Sequence, residues 1–391
     1  MARSVRLRIL ALGHTATLGG AELALARLLD AVDPDRFEVR TLLFGDGPLA
    51  ARLREGGHPV DVLALGDLAA AGRHAVGRTP LALVRNAART LPFGVRLGRE
   101  LRRLRPDVVY PNTLKAGLIG VPLARLLGLP VVWHLHDRIS PDYLPPLMVR
   151  LIRFVARSAA AVVVNSDATA ATLPGHPRLD VAPPGFGRDQ VGPPPGTRVP
   201  PCPPVVGLLG RISPTKGQLV FVRAAARVLQ RQPDVRFRII GSAMFGAERY
   251  ADEVHAEALR LGVGDAVEFT GFTPSPASAL DDLTLCVHAS PTPEPFGQVI
   301  VEAMIRGVPV VATAGGGATE IMRSAPGAEL GWLVPPGDDE ALATAISDAL
   351  AHPDMALARA ERAYASALER FPIERTADVV TGVWRRAARA R

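Results

Sequence analysis

The segment Glu294-Pro295-Phe296-Gly297-Gln298-Val299-Ile300-Val301-Glu302 holds the densest set of residues able to do chemistry in this chain. A proline-stiffened loop, Pro291 to Pro295, leads into it, and the pattern predicts a helix beginning near Phe296 or Gly297. The N–H groups and positive dipole end of such a helix form an anion site suited to a pyrophosphate. Gly297 lets a ligand approach the backbone closely. Glu294 in the loop and Glu302 in the helix can border one pocket with Phe296 and Gln298, and carboxylates accept hydrogen bonds from hydroxyl groups.

A second set lies in Gly207-Leu208-Leu209-Gly210-Arg211 and Lys216-Gly217, after a strand-like run and before a helical one. Arg offers a planar fork of donors and Lys a compact charge, and both suit phosphate oxygens. Lys115 and Lys216 are the only lysines in an Arg-rich chain, so Lys216 is hard to explain as a generic surface charge. Gly19-Gly20-Ala21-Glu22 is a further candidate anion turn at a helix start. His134-Leu135-His136-Asp137 closes a strand, where a histidine can hydrogen-bond a substrate group. For His134 a purely structural hydrogen bond is the plainer reading. Asn112-Thr113 reads most simply as a helix N-cap.

These residues need platforms. Strand-like runs at Leu7–Leu12, Val39–Leu43, Val60–Leu63, Val108–Tyr110, Val131–His136 and Ala161–Asn165 alternate with helical spacing such as Ala21–Leu29 and Phe93–Leu104. A second alternation carries Val205–Leu209, Phe237–Ile240, Val267–Thr270, Leu283–His288 and Val308–Ala312. Strands alternating with helices predict parallel sheets in an α/β fold. Nine prolines fall among residues 183–204, which reads as a linker. The expected plan is therefore two Rossmann-like domains: residues 1–185, completed by a helix over 375–391, and residues 205–374, joined by linker 186–204. Such sheets bind ligands at their C-terminal edges, here expected to meet in a cleft.

Bulk composition narrows the field. At 391 residues the chain is long enough for two cores, and 5% aromatic content disfavours stacked-base platforms for nucleic acid. Cys202 and Cys286 have no metal-ligand spacing, which predicts a reducing, cytoplasmic setting. A short apolar run at Ile9–Leu12 reads as a first strand rather than a signal peptide. Residues 117–133 are broken by Arg125 and two prolines, so no membrane span is expected. Asp33-Pro34-Asp35, the one Asp-x-Asp, sits in a turn and there is no His/Cys cluster, so no metal and no other cofactor is expected. Residues 1–200 carry +10 and residues 201–391 carry −3. Arg96, Arg99, Arg102, Arg103 and Arg105 concentrate the positive charge on one amphipathic segment, Phe93–Arg105, which predicts reversible association with an anionic membrane face.

Two glutamates with seven residues between them, Pro-Phe-Gly after Glu294 and Ala-Met after Glu302, resemble the retaining glycosyltransferases of the GT-B fold, family-four-like or group 1. The resemblance covers nearly the whole chain and is strongest from Gly207 to Val334. It implies transfer of a hexose or N-acetylhexosamine from a nucleoside diphosphate sugar, uridine rather than guanosine, to a hydroxyl of a glycan, lipid-linked sugar or small metabolite. It places Glu294 by the donor hexose hydroxyls, Glu302 on the ribose, and Arg211 and Lys216 on the diphosphate. Gly19 and Gly20 close over the phosphate, the Gly271-Phe272 backbone lines the base pocket, and Gly315-Gly316-Gly317 with Glu320 lies near the donor sugar. His136 stands as the cleft histidine, followed by Asp137. On the acceptor side it leaves Asn112, His134 and Asp137. Rivals are a sugar-nucleotide epimerase of the same fold and an inactive partner subunit, both disfavoured by the intact Arg211/Lys216 and Glu294/Glu302 pairs.

Overall fold

Runs of Val, Ile and Leu without polar alternation mark strands buried on both faces, the signature of a parallel sheet covered by helices. The computed structural model describes residues 6–66, 80–244 and 246–390, the side chains of 80–89 excepted. Its chain forms two compact units, Met1–Gly185 with Ile373–Arg391, and Phe186–Pro372. Residues 1–5 of the N-terminal run lie outside the described residues.

In the first unit β1 (Leu7–Gly13), β2 (Phe37–Leu43), β3 (Val60–Val62) and β4 (Val108–Pro111) form a parallel sheet in the order β3-β2-β1-β4. Strands β5 (Val132–Leu135), β6 (Ala161–Val164) and β7 (Leu179–Val181) continue it through a parallel bridge between Val109 and Val131. Helices Pro80–Leu104, Leu114–Leu126 and Pro146–Arg157 bury Phe93, Leu97, Val121 and Ile152 with Trp133 in one core. Helices Gly20–Ala31, Pro48–Glu55 and Ile373–Arg389 enclose a second. In it Trp384 packs edge-on against Phe37 and Tyr110, so the C-terminal helix completes the first unit.

The second unit is a six-stranded parallel sheet built from β8 (Val205–Leu209), β9 (Arg236–Ile240), β10 (Val267–Gly271), β11 (Leu285–His288), β12 (Val310–Thr313) and β13 (Trp332–Val334). Its order is β10-β9-β8-β11-β12-β13. The direction in which successive strands are added reverses between β8 and β11, and in the first unit between β1 and β4. At such a switch point the loops at the strands' C-terminal ends splay apart and leave a crevice. The fold is α/β, with two Rossmann-like units.

Two three-residue edge strands, β7 and β13, are not among the strand-like runs read from the sequence. The helix carrying Phe93 begins earlier, at Pro80.

The linker reading requires a correction. Residues 186–204 lie on the second unit rather than hanging between domains. Gly192 N–H donates to Ile305 O, Tyr364 Oη to Gly192 O, and Arg306 to Gln190 O. Arg198 donates to the carbonyls of Gly307, Asp281 and Leu283 at 3.2, 3.0 and 2.9 Å. Proline removes N–H donors, so the segment is fastened mainly by side chains rather than by a ladder. Removing Arg198 leaves three carbonyls without their charged donor. Arg198→Ala should therefore lower stability by about 3 kcal/mol. Arg198→Lys should recover less than half, since one ammonium cannot reproduce the fork. Urea unfolding midpoints measure both; a loss within experimental error for Arg198→Ala would return the segment to linker status.

Candidate active site

After β8 the chain turns through Gly210 and Arg211 into a single helical turn, Pro214–Lys216, then enters helix Gln218–Leu229. Gly217 holds φ +76°, and a Cβ there would meet Ala289 O at 1.9 Å, so only glycine fits this close passage of the loops after β8 and β11. The buried Gln218 side chain donates to Arg211 O and accepts from Ser213 N–H, bracing the loop that carries Arg211. Lys216 is thereby aimed across the switch point.

It meets Glu294, 7% exposed, with Nζ donating to Oε1 at 2.7 Å. Ser290 Oγ donates to the same oxygen, and His288 Nε2 lies 3.5 Å from Oε2. Burial alone would raise the Glu294 pKa, but the Lys216 and His288 charges and their hydrogen bonds outweigh it and hold the carboxyl well below its usual range. Glu294 is thus an ionised carboxylate inside the protein. The loop bearing it lies against the glycine turn after β12: Gly317 N–H donates to Glu294 O at 3.0 Å. A Cβ on Gly316 would meet that carbonyl at 2.0 Å and one on Gly317 would meet Phe296 Cα at 2.4 Å. Those glycines are needed because backbone passes over backbone.

Gly297, at φ 102°, caps helix Gln298–Ile305 without a side-chain acceptor. Glu302 is half-buried on that helix, whereas Phe296 is buried beneath it. At the far side of the sheet Gly241 bridges Gly271, and Gly210 N–H donates to Ile240 O, which gathers the ends of β8, β9 and β10. Phe272 follows, exposed. Arg211, Lys216, Gly271, Phe272, Glu294, Gly297 and Gln298 therefore all sit at the C-terminal edge of one sheet, and Glu302 lies a turn further along the helix that Gly297 caps.

The first unit is built on the same plan, and the side chains tied together at its strand ends are uncharged Thr113, Asn112, His14 and His136. Thr113 caps helix Leu114–Leu126, its Oγ1 accepting from Ala116 N–H, and His14 Nδ1 contacts the same hydroxyl at 2.8 Å. Asn112 is no cap. Its Nδ2 donates to Ala21 O at 3.0 Å, which points Oδ1 toward His136 Nε2 at 3.1 Å. Nε2 must then carry the proton. Burial draws both the His14 and the His136 pKa down to about 4, so both rings are neutral near pH 7. His136 thus has Nε2 engaged by Asn112 and Nδ1 buried. His134 is buried, bonded through Nδ1 to the Tyr110 hydroxyl and tilted over the His136 ring, so it belongs to the core rather than to an acceptor surface. Asp137 accepts from Tyr143 Oη at 3.2 Å.

Gly19 ends the loop after β1 and Gly20 starts the next helix, but the Glu22 carboxylate closes against Gly19, where a Cβ would lie 2.6 Å from Oε2. That turn already carries an acidic neighbour of its own. His288, Ser290, Gln218 and His14 were missed from sequence. His14 acts through a contact between distant loops, whereas Gln218 braces its own loop, and His288 and Ser290, six and four residues before Glu294, stood close enough to the motif to be suspected. Among the described residues no group of three or more His, Cys, Asp or Glu side chains is placed to hold a metal ion, and no helix is long and apolar enough to cross a membrane.

Residues 196–366 match the family model for glycosyl transferases group 1, and residues 48–190 that for glycosyltransferase family 4. The chain is 31% identical over 238 residues to a D-inositol 3-phosphate glycosyltransferase of Kribbella flavida, covering 54% of this chain and 56% of that one. It is 30% identical over 311 residues to the protein of that name in Segniliparus rotundus, covering 73% and 67%. The chain thus spans between half and two thirds of the length of these relatives. The crystal structure of Anabaena Alr3699/HepE in complex with UDP and glucose superposes with a TM-score of 0.81 at 28% identity, covering 96% of this chain and 99% of that one.

Proposed function

The chain belongs to the group 1 glycosyltransferases, and from that premise we propose that it moves a hexose or N-acetylhexosamine from a nucleoside diphosphate sugar to an acceptor hydroxyl with retention at the anomeric carbon. The observation that carries this reading is the Lys216–Glu294 pair across the switch point, which sets a cation for phosphate beside a carboxylate for sugar hydroxyls. UDP, the nucleotide in the similar Anabaena structure, is the favoured carrier over GDP. The acceptor is a glycan, a lipid-linked sugar or a small metabolite, the last favoured by the names of the curated relatives.

In this reading the bond from the anomeric carbon to the diphosphate oxygen breaks, and a bond to the acceptor oxygen forms on the same face. The acceptor proton passes to the departing diphosphate. Arg211, Lys216 and the helix start at Gly297 stabilise the charge that grows there, usually the largest catalytic contribution. Glu294 orients the hexose, Glu302 holds the ribose, and Gly271 with Phe272 borders the base. His136, neutral and fixed by Asn112, gives a rigid wall rather than a proton relay.

Lys216→Ala or Arg211→Ala should cut turnover of the preferred sugar nucleotide by about 100-fold or more. Glu302→Gln should mainly weaken nucleotide binding in calorimetry, and Glu294→Gln mainly depress turnover. Near-normal rates in both cation variants would remove the donor-site assignment. Incubation without acceptor separates transfer from epimerisation, because an epimerase still makes a new sugar nucleotide.

No metal is assigned a role in this proposal. The product anomer, read by NMR, should keep the donor configuration, and a chelator should leave the rate unchanged. An inverted product would refute the mechanism.

Peripheral membrane association at the cytoplasmic face is proposed on a revised footing. Leu97 and Leu101 of the basic segment are buried in the first unit's core, so they cannot insert into lipid. What the helix shows to solvent is Leu91 at 68% and Val95 at 50% exposure, with Arg96, Arg99, Arg102, Arg103 and Arg105. Helix Pro146–Arg157, on the same side of the sheet, adds exposed Arg150, Arg157 and Phe154, the last at 74%. Anionic vesicles should co-sediment the protein at low salt and release it at high salt. No binding at low salt would leave a soluble acceptor as the better reading.

A further inference from the structure

We propose that His288 is a positioning residue of this site: a doubly protonated imidazole that pairs with Glu294 and keeps that carboxylate compensated when Lys216 turns to a donor diphosphate. The assignment comes from following each proton. Thr313 has one hydroxyl proton and gives it to Ser290 O at 2.8 Å. Its oxygen can then face His288 Nδ1, 3.3 Å away, only as an acceptor, so Nδ1 carries a proton. The other ring nitrogen, Nε2, is buried and has no hydrogen-bond partner closer than Glu294 Oε2 at 3.5 Å. A neutral ring would aim a bare lone pair at an ionised carboxylate inside the protein. A proton on Nε2 turns that repulsion into an ion pair and leaves no lone pair stranded.

The carboxylate therefore has two separate sources of compensation. Oε1 takes Lys216 and Ser290, and Oε2 faces His288. His288 is buried on β11 and cannot leave, whereas Lys216 reaches Glu294 on a long flexible stem, one quarter exposed. A diphosphate with its larger charge draws Lys216 away. Without His288 that exchange would leave Glu294 alone in a desolvated site, which is strongly unfavourable. Of the two groups that face the ring nitrogens, Glu294 is charged and is itself held by Lys216, whereas Thr313 is neutral. The exchange rests on the donor-site reading given above, but the ring's two protons do not.

Imidazole ¹⁵N NMR of the free full-length protein at neutral pH tests the ring directly, with His288→Gln used to assign its signals. Both nitrogens are expected in the N–H range, and a bare nitrogen overturns the proposal. UDP calorimetry tests the exchange. His288→Gln, which keeps a donor but loses the charge, should bind UDP about tenfold more weakly, and His288→Phe more weakly still. In a Lys216→Met background the His288→Gln effect should vanish, because no cation is left to be exchanged. A structural role alone would give the same loss in both backgrounds, and that result, or unchanged affinity in His288→Gln, overturns the exchange. If the wild-type protein bound neither UDP nor GDP, the donor-site reading would fall and the exchange with it, while the spectrum would still decide the ring.

Discussion

A carboxylate taken out of water has to be answered on every side, and Glu294 sets that demand for the second unit. Desolvation works against its charge, so the surroundings must supply donors before a ligand arrives. Lys216, Ser290 and His288 do so. Ser290 and His288 come from the same strand end and loop as Glu294, whereas Lys216 comes from the loop after β8, which must pass within van der Waals distance of it. Gly217, Gly316 and Gly317 are consequences of that demand, since a Cβ at any of them would collide with backbone. The glycine-rich appearance of the motifs thus follows from packing around one buried charge as much as from room for a phosphate.

The first unit answers the same topological problem with a central network of neutral side chains, although Lys115, Asp137 and Arg27 lie near enough to act on it. Its switch point is closed by Asn112, which ties the start of helix Gly20–Ala31 to His136, and by His14 against the Thr113 cap. Burial keeps both histidines neutral, so the hydrogen bonds that His14 and His136 make join neutral groups. A charged network can trade partners with an ionic ligand, whereas a neutral one mainly holds shape. The division matches donor chemistry in one unit and acceptor positioning in the other, under the reading proposed above.

Much of this was legible in the sequence because it is local. Glu294, Gly297 and Glu302 fall within nine residues, and a strand followed by Gly210, Arg211 and Lys216 fixes where those charges emerge. The two Rossmann-like units were legible from alternation alone. What escaped depends on strand order. Nothing in the sequence says that residue 112 lies beside residues 21 and 136, because that follows from β4 being the neighbour of both β1 and β5. His134 and His136 look equivalent in the sequence, yet Tyr110 places one in the core and Asn112 fixes the other. The proline-rich stretch misled for a different reason. Proline density reports missing N–H donors, but it says nothing about Arg198 or Arg306, whose side chains do the fastening.

The scarcity of lysine gives a last physical clue to how the site works. This chain uses Arg for nearly every cation, and Arg198 shows why: a rigid fork can satisfy three carbonyls at once. Such a fork is poorly suited to changing partners, because moving it breaks several directional bonds together. A lysine ammonium is nearly isotropic and sits on a stem that can swing. Lys216 runs that stem past Gly210, where a Cβ would sit 3.8 Å from its Cδ. Its contact with Glu294 is a single hydrogen bond at 2.7 Å. One bond is easily exchanged for one to a phosphate oxygen, provided the carboxylate left behind stays neutralised by a group that cannot move. A mobile cation in front of Glu294 therefore makes sense only with a fixed one behind it, which is the position His288 occupies.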